Sequence, residues 1–149
     1  MISFTLPISP QSLQTSGKRL VVVGGRPRFF LNSKAKKYHA DIGLLVRQHV
    51  PPSPLAGPLR VDMAFVLLRP ASLNRKADPE GLIPMAKRPD RDNLVKGTTD
   101  ALSAAGFWLD DAQICDGRIS KFYAEKGGEA RIEIRVQEIQ DAPKPWISI

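Results

Sequence analysis

The stretch 129–139, EARIEIRVQEI, places an apolar side chain at nearly every second position. Only a β-strand with two distinct faces satisfies that period. Just upstream, QICDGRISKFYAEK alternates in the same way and reaches the later run through Gly127 and Gly128, so the two runs are expected to pair as a terminal hairpin. Residues 2–6, ISFTL, make a short strand that Pro7 stops. Residues 59–68, LRVDMAFVLL, begin by alternating and finish apolar, as a strand largely buried in a sheet does. Two β-prone runs around Gly24 and Gly25 predict a further hairpin after a loop over 9–17.

Between these runs the period changes. Tyr38, Ile42, Leu45, Val46 and His49 recur at helical spacing behind Ser33, the expected N-cap, until Pro51 and Pro52, which predicts a helix over 33–49. Leu94, Thr98, Ala101, Leu102 and Ala105 predict a second helix over 93–105, closed by Gly106. The element order predicts an α+β fold, a mixed β-sheet with two packed helices. At 149 residues the chain is expected to be one domain, 1–149, with residues 140–149 as a tail. Residues 71–88 show no period and hold basic residues, and a loop of that length is usually functional or mobile.

Charge is distributed unevenly. The formal net charge is +7, and residues 1–40 carry Lys18, Arg19, Arg26, Arg28, Lys34, Lys36 and Lys37 with no Asp or Glu. A basic region interleaved with Phe29, Phe30 and Tyr38 is what a phosphate backbone attracts. Arg26, Arg28, Lys34, Lys36 and Lys37 are the expected DNA contacts. No apolar run is long enough to cross a bilayer, and the first residues lack the pattern of a secretory signal, so the expected compartment is cytoplasmic. Cys115 is the only cysteine. That excludes an internal disulfide and a thiolate-built zinc site, and its neighbours favour a buried structural thiol.

Against that basic background, five of the fifteen acidic residues crowd into RPDRDNLVKGTTDALSAAGFWLDDAQ at 88–113. Asp90 and Asp92 stand at the start of the second helix, where a carboxylate caps well, but only one can be the N-cap. Capping also leaves the second pair, Asp110 and Asp111, without an explanation. If the chain turns back through GFWLDD, three or four carboxylates converge and require a cation to offset their repulsion. Oxygen donors without thiolates suit a hard ion, Mg²⁺ above all. A calcium-binding EF-hand is excluded by Leu94, Val95 and Ala101 at positions that need other residues. Lys96 lies one turn beyond Asp92, able to pair with it or to reach a phosphate and stabilise charge during hydrolysis. His39, His49 and Trp108 are expected at the surface, the core edge and in the core respectively.

The run RPDRDNLVKGTTDALSAAGFWLDDAQI resembles the signature region of the RusA family of Holliday junction resolvases, often carried by prophages. Its D-x-D-N-L-x-K, D-A-L and F-W-x-D-D-A-Q segments carry the likeness, and KGGEARIEI continues it more loosely. The resemblance implies a RusA-like fold and a Mg²⁺-dependent, structure-selective endonuclease working as a homodimer on four-way junction DNA, cutting it with paired nicks. It assigns the metal to Asp90, Asp92 and Asp111 and the essential lysine to Lys96. Asp110 becomes the second choice, Asp100 a structural neighbour of Lys96, and Asn93 a helix-start residue. The family's N-terminal asparagine-containing loop has no counterpart in LPISPQSLQTSGKR, and the loop 71–88 is longer than in compact members. The alternatives are a Mg²⁺ nuclease for flaps or forks and a non-catalytic phage DNA-binding protein whose aspartates only cap and solubilise.

Overall fold

The computed structural model describes residues 1–12 and 18–141. Part of the expected loop over 9–17 and most of the expected tail therefore lie outside the described residues. Among the described residues eight strands and two α-helices follow one another as β1 (Ile2–Leu6), β2 (Lys18–Val23), β3 (Arg26–Leu31), α1 (Ser33–Arg47), β4 (Leu59–Leu67), β5 (Ile83–Pro84), α2 (Arg91–Ala105), β6 (Ile114–Asp116), β7 (Ile119–Tyr123) and β8 (Arg131–Glu138). The main sheet runs β1-β8-β4-β7-β5, with β6 also against β4. Strands β4, β6 and β7 pair in parallel and the remaining neighbours antiparallel, so the α+β fold with a mixed sheet and two helices is what the chain adopts.

The alternation of residues 129–139 governs which face is covered. In β8, Ile132, Ile134 and Val136 are buried while Glu133 and Arg135 are exposed. Leu59, Val61, Met63 and Phe65 of β4 join them against Ile42 and Val46 of α1 and Leu94 and Leu102 of α2 in one core. Burying such side chains contributes about 1.5–3 kcal/mol each. The opposite face stays open and carries Arg60, Asp62 and Arg135.

The terminal hairpin does not form. Strand β4 lies between β7 and β8, and β8 is paired on its two edges by β4 and β1. The segment after β7 therefore has to cross the end of β4, where Ala124 N–H donates to the Leu67 carbonyl at 2.7 Å. Local alternation and a glycine turn are satisfied equally by a hairpin or by strands one place apart, and the pairing of β4 along both its edges, with β7 and with β8, decides between them. The upstream run is also two strands. It breaks at Gly117, where a Cβ would collide with the Val61 carbonyl oxygen, so only glycine lets β6 and β7 follow β4 in succession.

Other boundaries shift slightly. The N-cap of α1 is Asn32, not Ser33: its side chain accepts from the Ala35 N–H at 2.8 Å. The helix ends at Arg47 rather than at His49, which instead stacks on Phe4 with ring centroids 4.4 Å apart. The expected hairpin at Gly24 and Gly25 is present as a separate two-stranded ribbon, β2–β3. The loop 71–88 is well tied down. Arg69 donates to the carbonyls of Ala124, Leu73, Glu80 and Gly81, and Lys126 pairs with Glu80 at 2.9 Å. Cys115 lies in β6 but is exposed, contrary to the expected burial, because strand alternation turns it away while its sulfur lies 3.6 Å from the Leu59 carbonyl.

Candidate active site

Helix α2 begins two residues earlier than its apolar period announces, so Asp90 occupies the N-cap position. Its backbone carbonyl accepts from Leu94 N–H at 3.3 Å, yet its carboxylate makes no cap hydrogen bond. The capping explanation for Asp90 is thereby removed. Asp92 follows in the first turn, exposed, and Lys96 stands one turn on, with its ammonium 3.6 Å from the Asp100 carboxylate rather than bound to Asp92. Leu94, Thr98 and Leu102 bury the other side of the helix.

At its far end α2 stops at Gly106, whose φ of 89° is left-handed backbone that favours glycine. Phe107 and Trp108 then turn into the core, and the Trp108 indole N–H donates to the Ser103 hydroxyl at 2.8 Å. Gln113 fixes the next turn. Its side-chain oxygen accepts from the Leu109 and Asp110 N–H groups, and its amide nitrogen donates to the Leu55 and Gly57 carbonyls. Asp110 completes a capping box by accepting from Ala112 N–H at 2.8 Å. With Asp110 committed to that turn, Asp111 is the member of the pair left facing α2.

Asp92, Lys96, Asp100 and Asp111 line one concavity of about 380 Å³, together with Arg91, Val95, Thr99 and Ile119. The chain does turn back, and it brings Asp111 to the wall that bears Asp92 and Lys96. Asp90 does not line that concavity; it sits one residue before Arg91, which does. Among the described residues no group of three or more His, Cys, Asp or Glu side chains converges tightly enough to hold an ion. The donors are nonetheless all carboxylate oxygens, which fits a hard divalent cation.

Ion pairing divides the acids of the chain. Asp41, Asp62, Asp78, Glu80, Asp100, Asp116, Glu125 and Glu133 each pair with a cation, while Asp110 and Glu138 accept backbone N–H bonds. Among the described residues Asp90, Asp92 and Asp111 make no such bond, in company with only Glu129 and Asp141.

The expected DNA contacts lie elsewhere. Arg26 and Arg28 are exposed on the ribbon, and Lys34, Lys36 and Lys37 are exposed on α1, with Lys37 held by Asp41. None lines the acidic concavity. A groove of about 350 Å³ between the helices, lined by His39, Gly43, Arg47, Asp100, Ala101, Ala104 and Ala105, shares Asp100 with it and leads toward α1. Arg91 was missed by the sequence reading, although its spacing to Val95 put it on the same helical face. Lys121 of β7 also escaped it, because the carbonyls to which its ammonium donates, those of Lys87 and Pro89, lie far earlier in the chain.

The match to known proteins is extensive. The family model described as Endodeoxyribonuclease RusA matches residues 7–137. The chain is 33% identical over 132 residues to "Uncharacterized protein YqaN" of Bacillus subtilis (strain 168), covering 79% of this chain and 90% of that one. It is 49% identical over 57 residues to "Crossover junction endodeoxyribonuclease rusA" of Enterobacteria phage 82, a stretch that spans 38% of this chain and 46% of the phage protein. The same figures hold for the protein so named in Escherichia coli (strain K12). The chain belongs to the RusA family of endodeoxyribonucleases.

Proposed function

We propose that this protein is a Mg²⁺-dependent endonuclease that resolves Holliday junctions by paired symmetric nicks during DNA recombination and repair, acting as a homodimer of one domain per chain. The support that carries the reading is the set of carboxylates left without partners: among the described residues Asp90, Asp92 and Asp111 stay unpaired while most of the other acids are paired. Carboxylates that the fold leaves without partners remain open to a cation, whose binding would stabilise the folded chain.

Asp92 and Asp111, with Asp90, would hold the ion, which when bound supplies Lewis-acid polarisation of the attacked phosphate. The protein's own groups do the rest. The Lys96 ammonium, kept at the cleft wall by Asp100, offsets the negative charge that builds on phosphorus oxygens during in-line attack. Arg91 on the same wall offers a forked donor that orients the phosphodiester. Arg26 and Arg28 of the ribbon and Lys34, Lys36 and Lys37 of α1 neutralise neighbouring phosphates and anchor the DNA arms. A two-fold dimer presents two such clefts in the symmetry of the junction it cuts.

The deciding experiment offers strand-labelled four-way junctions, flaps, forks and linear duplex to the protein in Mg²⁺. Symmetric nicks in opposed strands of the junction carry the reading. Cutting confined to flaps or forks moves the substrate, and tight junction binding without cutting leaves a DNA-binding protein.

A further inference from the structure

Lys121 occupies β7, an inner strand of the main sheet, and pairs in register with Phe65 of β4. Its half-buried ammonium has no carboxylate partner among the described residues. It donates instead to two backbone carbonyls, those of Lys87 and, at 2.7 Å, Pro89. The Lys121 carbonyl in turn accepts from Met85 N–H at 3.1 Å. One residue thus fastens the segment 85–89 at three points, immediately before Asp90.

Packing alone does not account for a lysine at this position, because withdrawing an ammonium from water is costly and a Met of similar reach would fill the space. Hydrogen bonding to the Lys87 and Pro89 carbonyls of one irregular segment does account for it. Asp90 has no side-chain bond of its own to fix it, so its placement depends on the helix start that follows it and on Pro89 behind it. Ile119, two residues before Lys121 on the same strand, points to the same face of the sheet and lines the concavity with Asp92 and Asp111. The strand therefore registers the Asp90 segment against the wall that carries the other two carboxylates.

We propose that Lys121 is a positioning residue that holds Asp90 where it can join Asp92 and Asp111 around one divalent cation. The inference rests on the reading of those three carboxylates as the metal site. Outer residues that orient ligands typically change metal affinity by about 10- to 100-fold.

The test measures Mn²⁺ binding to the intact chain without DNA, by calorimetry or by loss of the free-ion electron paramagnetic signal. The variants are Lys121→Met, Asp92→Asn and Val136→Ala, the last a buried β8 residue that pairs with Ile2 of β1 and Val61 of β4 and not with β7. Lys121→Met is expected to weaken Mn²⁺ binding by about tenfold or more, with junction binding in EDTA unchanged and Val136→Ala binding the ion normally. Wild-type affinity in Lys121→Met overturns the proposal, as does an equal loss in Val136→Ala, which would make the effect one of general destabilisation. Asp92→Asn separates the two ideas. If it too binds Mn²⁺ as wild type does, the carboxylate site itself is wrong; if it alone loses the ion, only the role of Lys121 fails.

Discussion

Two groups of carboxylates in this protein lie under opposite rules. On the open face of the sheet, Asp62 and Asp116 share the Arg60 guanidinium, at 3.2 and 3.0 Å, and Asp62 also accepts from Arg118 N–H at 2.8 Å. In the cleft beside α2, Asp90, Asp92 and Asp111 have no such partners among the described residues. The first group is part of how the strands hold together. The side chains of the second take no part in that among the described residues. Acidity alone separates neither group; partnership does.

The strongest way to break this comparison is through activity. Asp92→Asn and Lys96→Ala are each expected to lower junction cleavage by roughly 10³-fold while junction binding stays largely intact. Full cleavage by both variants would place the chemistry outside the cleft.

Stability sharpens it at finer scale, because adjacent aspartates fall on opposite sides of the divide. Asp110→Ala removes the capping box and is expected to cost about 1 kcal/mol, whereas Asp111→Asn should remain within about 0.5 kcal/mol of the parent. Urea or thermal unfolding of the two variants checks this, and equal losses would show that Asp111 is a structural residue after all.

The smallest effect concerns acid. Desolvation by burial raises the Asp62 pKa, but the Arg118 N–H, the Arg60 guanidinium and the charge of Arg135 outweigh it and leave the group below its ordinary value. A carboxyl whose pKa is lowered by folding stabilises the protein above its unfolded pKa of about 3.9, and that contribution is lost as pH falls through the folded value. Melting temperature should therefore drop as pH falls below about 5, and more gently in Asp62→Asn than in the parent. Parallel slopes for the two proteins would remove Asp62 from the account.

Much of this architecture was readable in the chain. The period of two in 131–138 and the period of 3.6 in 93–105 each report one face of a local element, and locality is what sequence pattern measures. The turn after α2 was readable as well, since Gly106 ends the helix and Phe107 and Trp108 must be buried. What pattern could not show was adjacency between elements. The run ending at Tyr123 and the run beginning at Arg131 are joined by a short glycine-containing turn, yet β4 separates them. Nor could it show that Asn32 rather than Ser33 caps α1, because both residue types cap well and only geometry chooses.

For the site the division is similar. The sequence by itself determined the chemical inventory: oxygen donors in two pairs, a lysine one turn from the first pair, one cysteine and few histidines, and a basic N-terminal region. The tertiary structure decided how each member is used. It committed Asp110 to a cap and set Asp111 in one concavity with Asp92, paired Lys96 with Asp100, and brought Lys121 of β7 to the carbonyls of the segment before Asp90. The physical reason is that a side chain's chemistry belongs to the residue, whereas its hydrogen-bond partners belong to whatever the sheet and helices carry next to it.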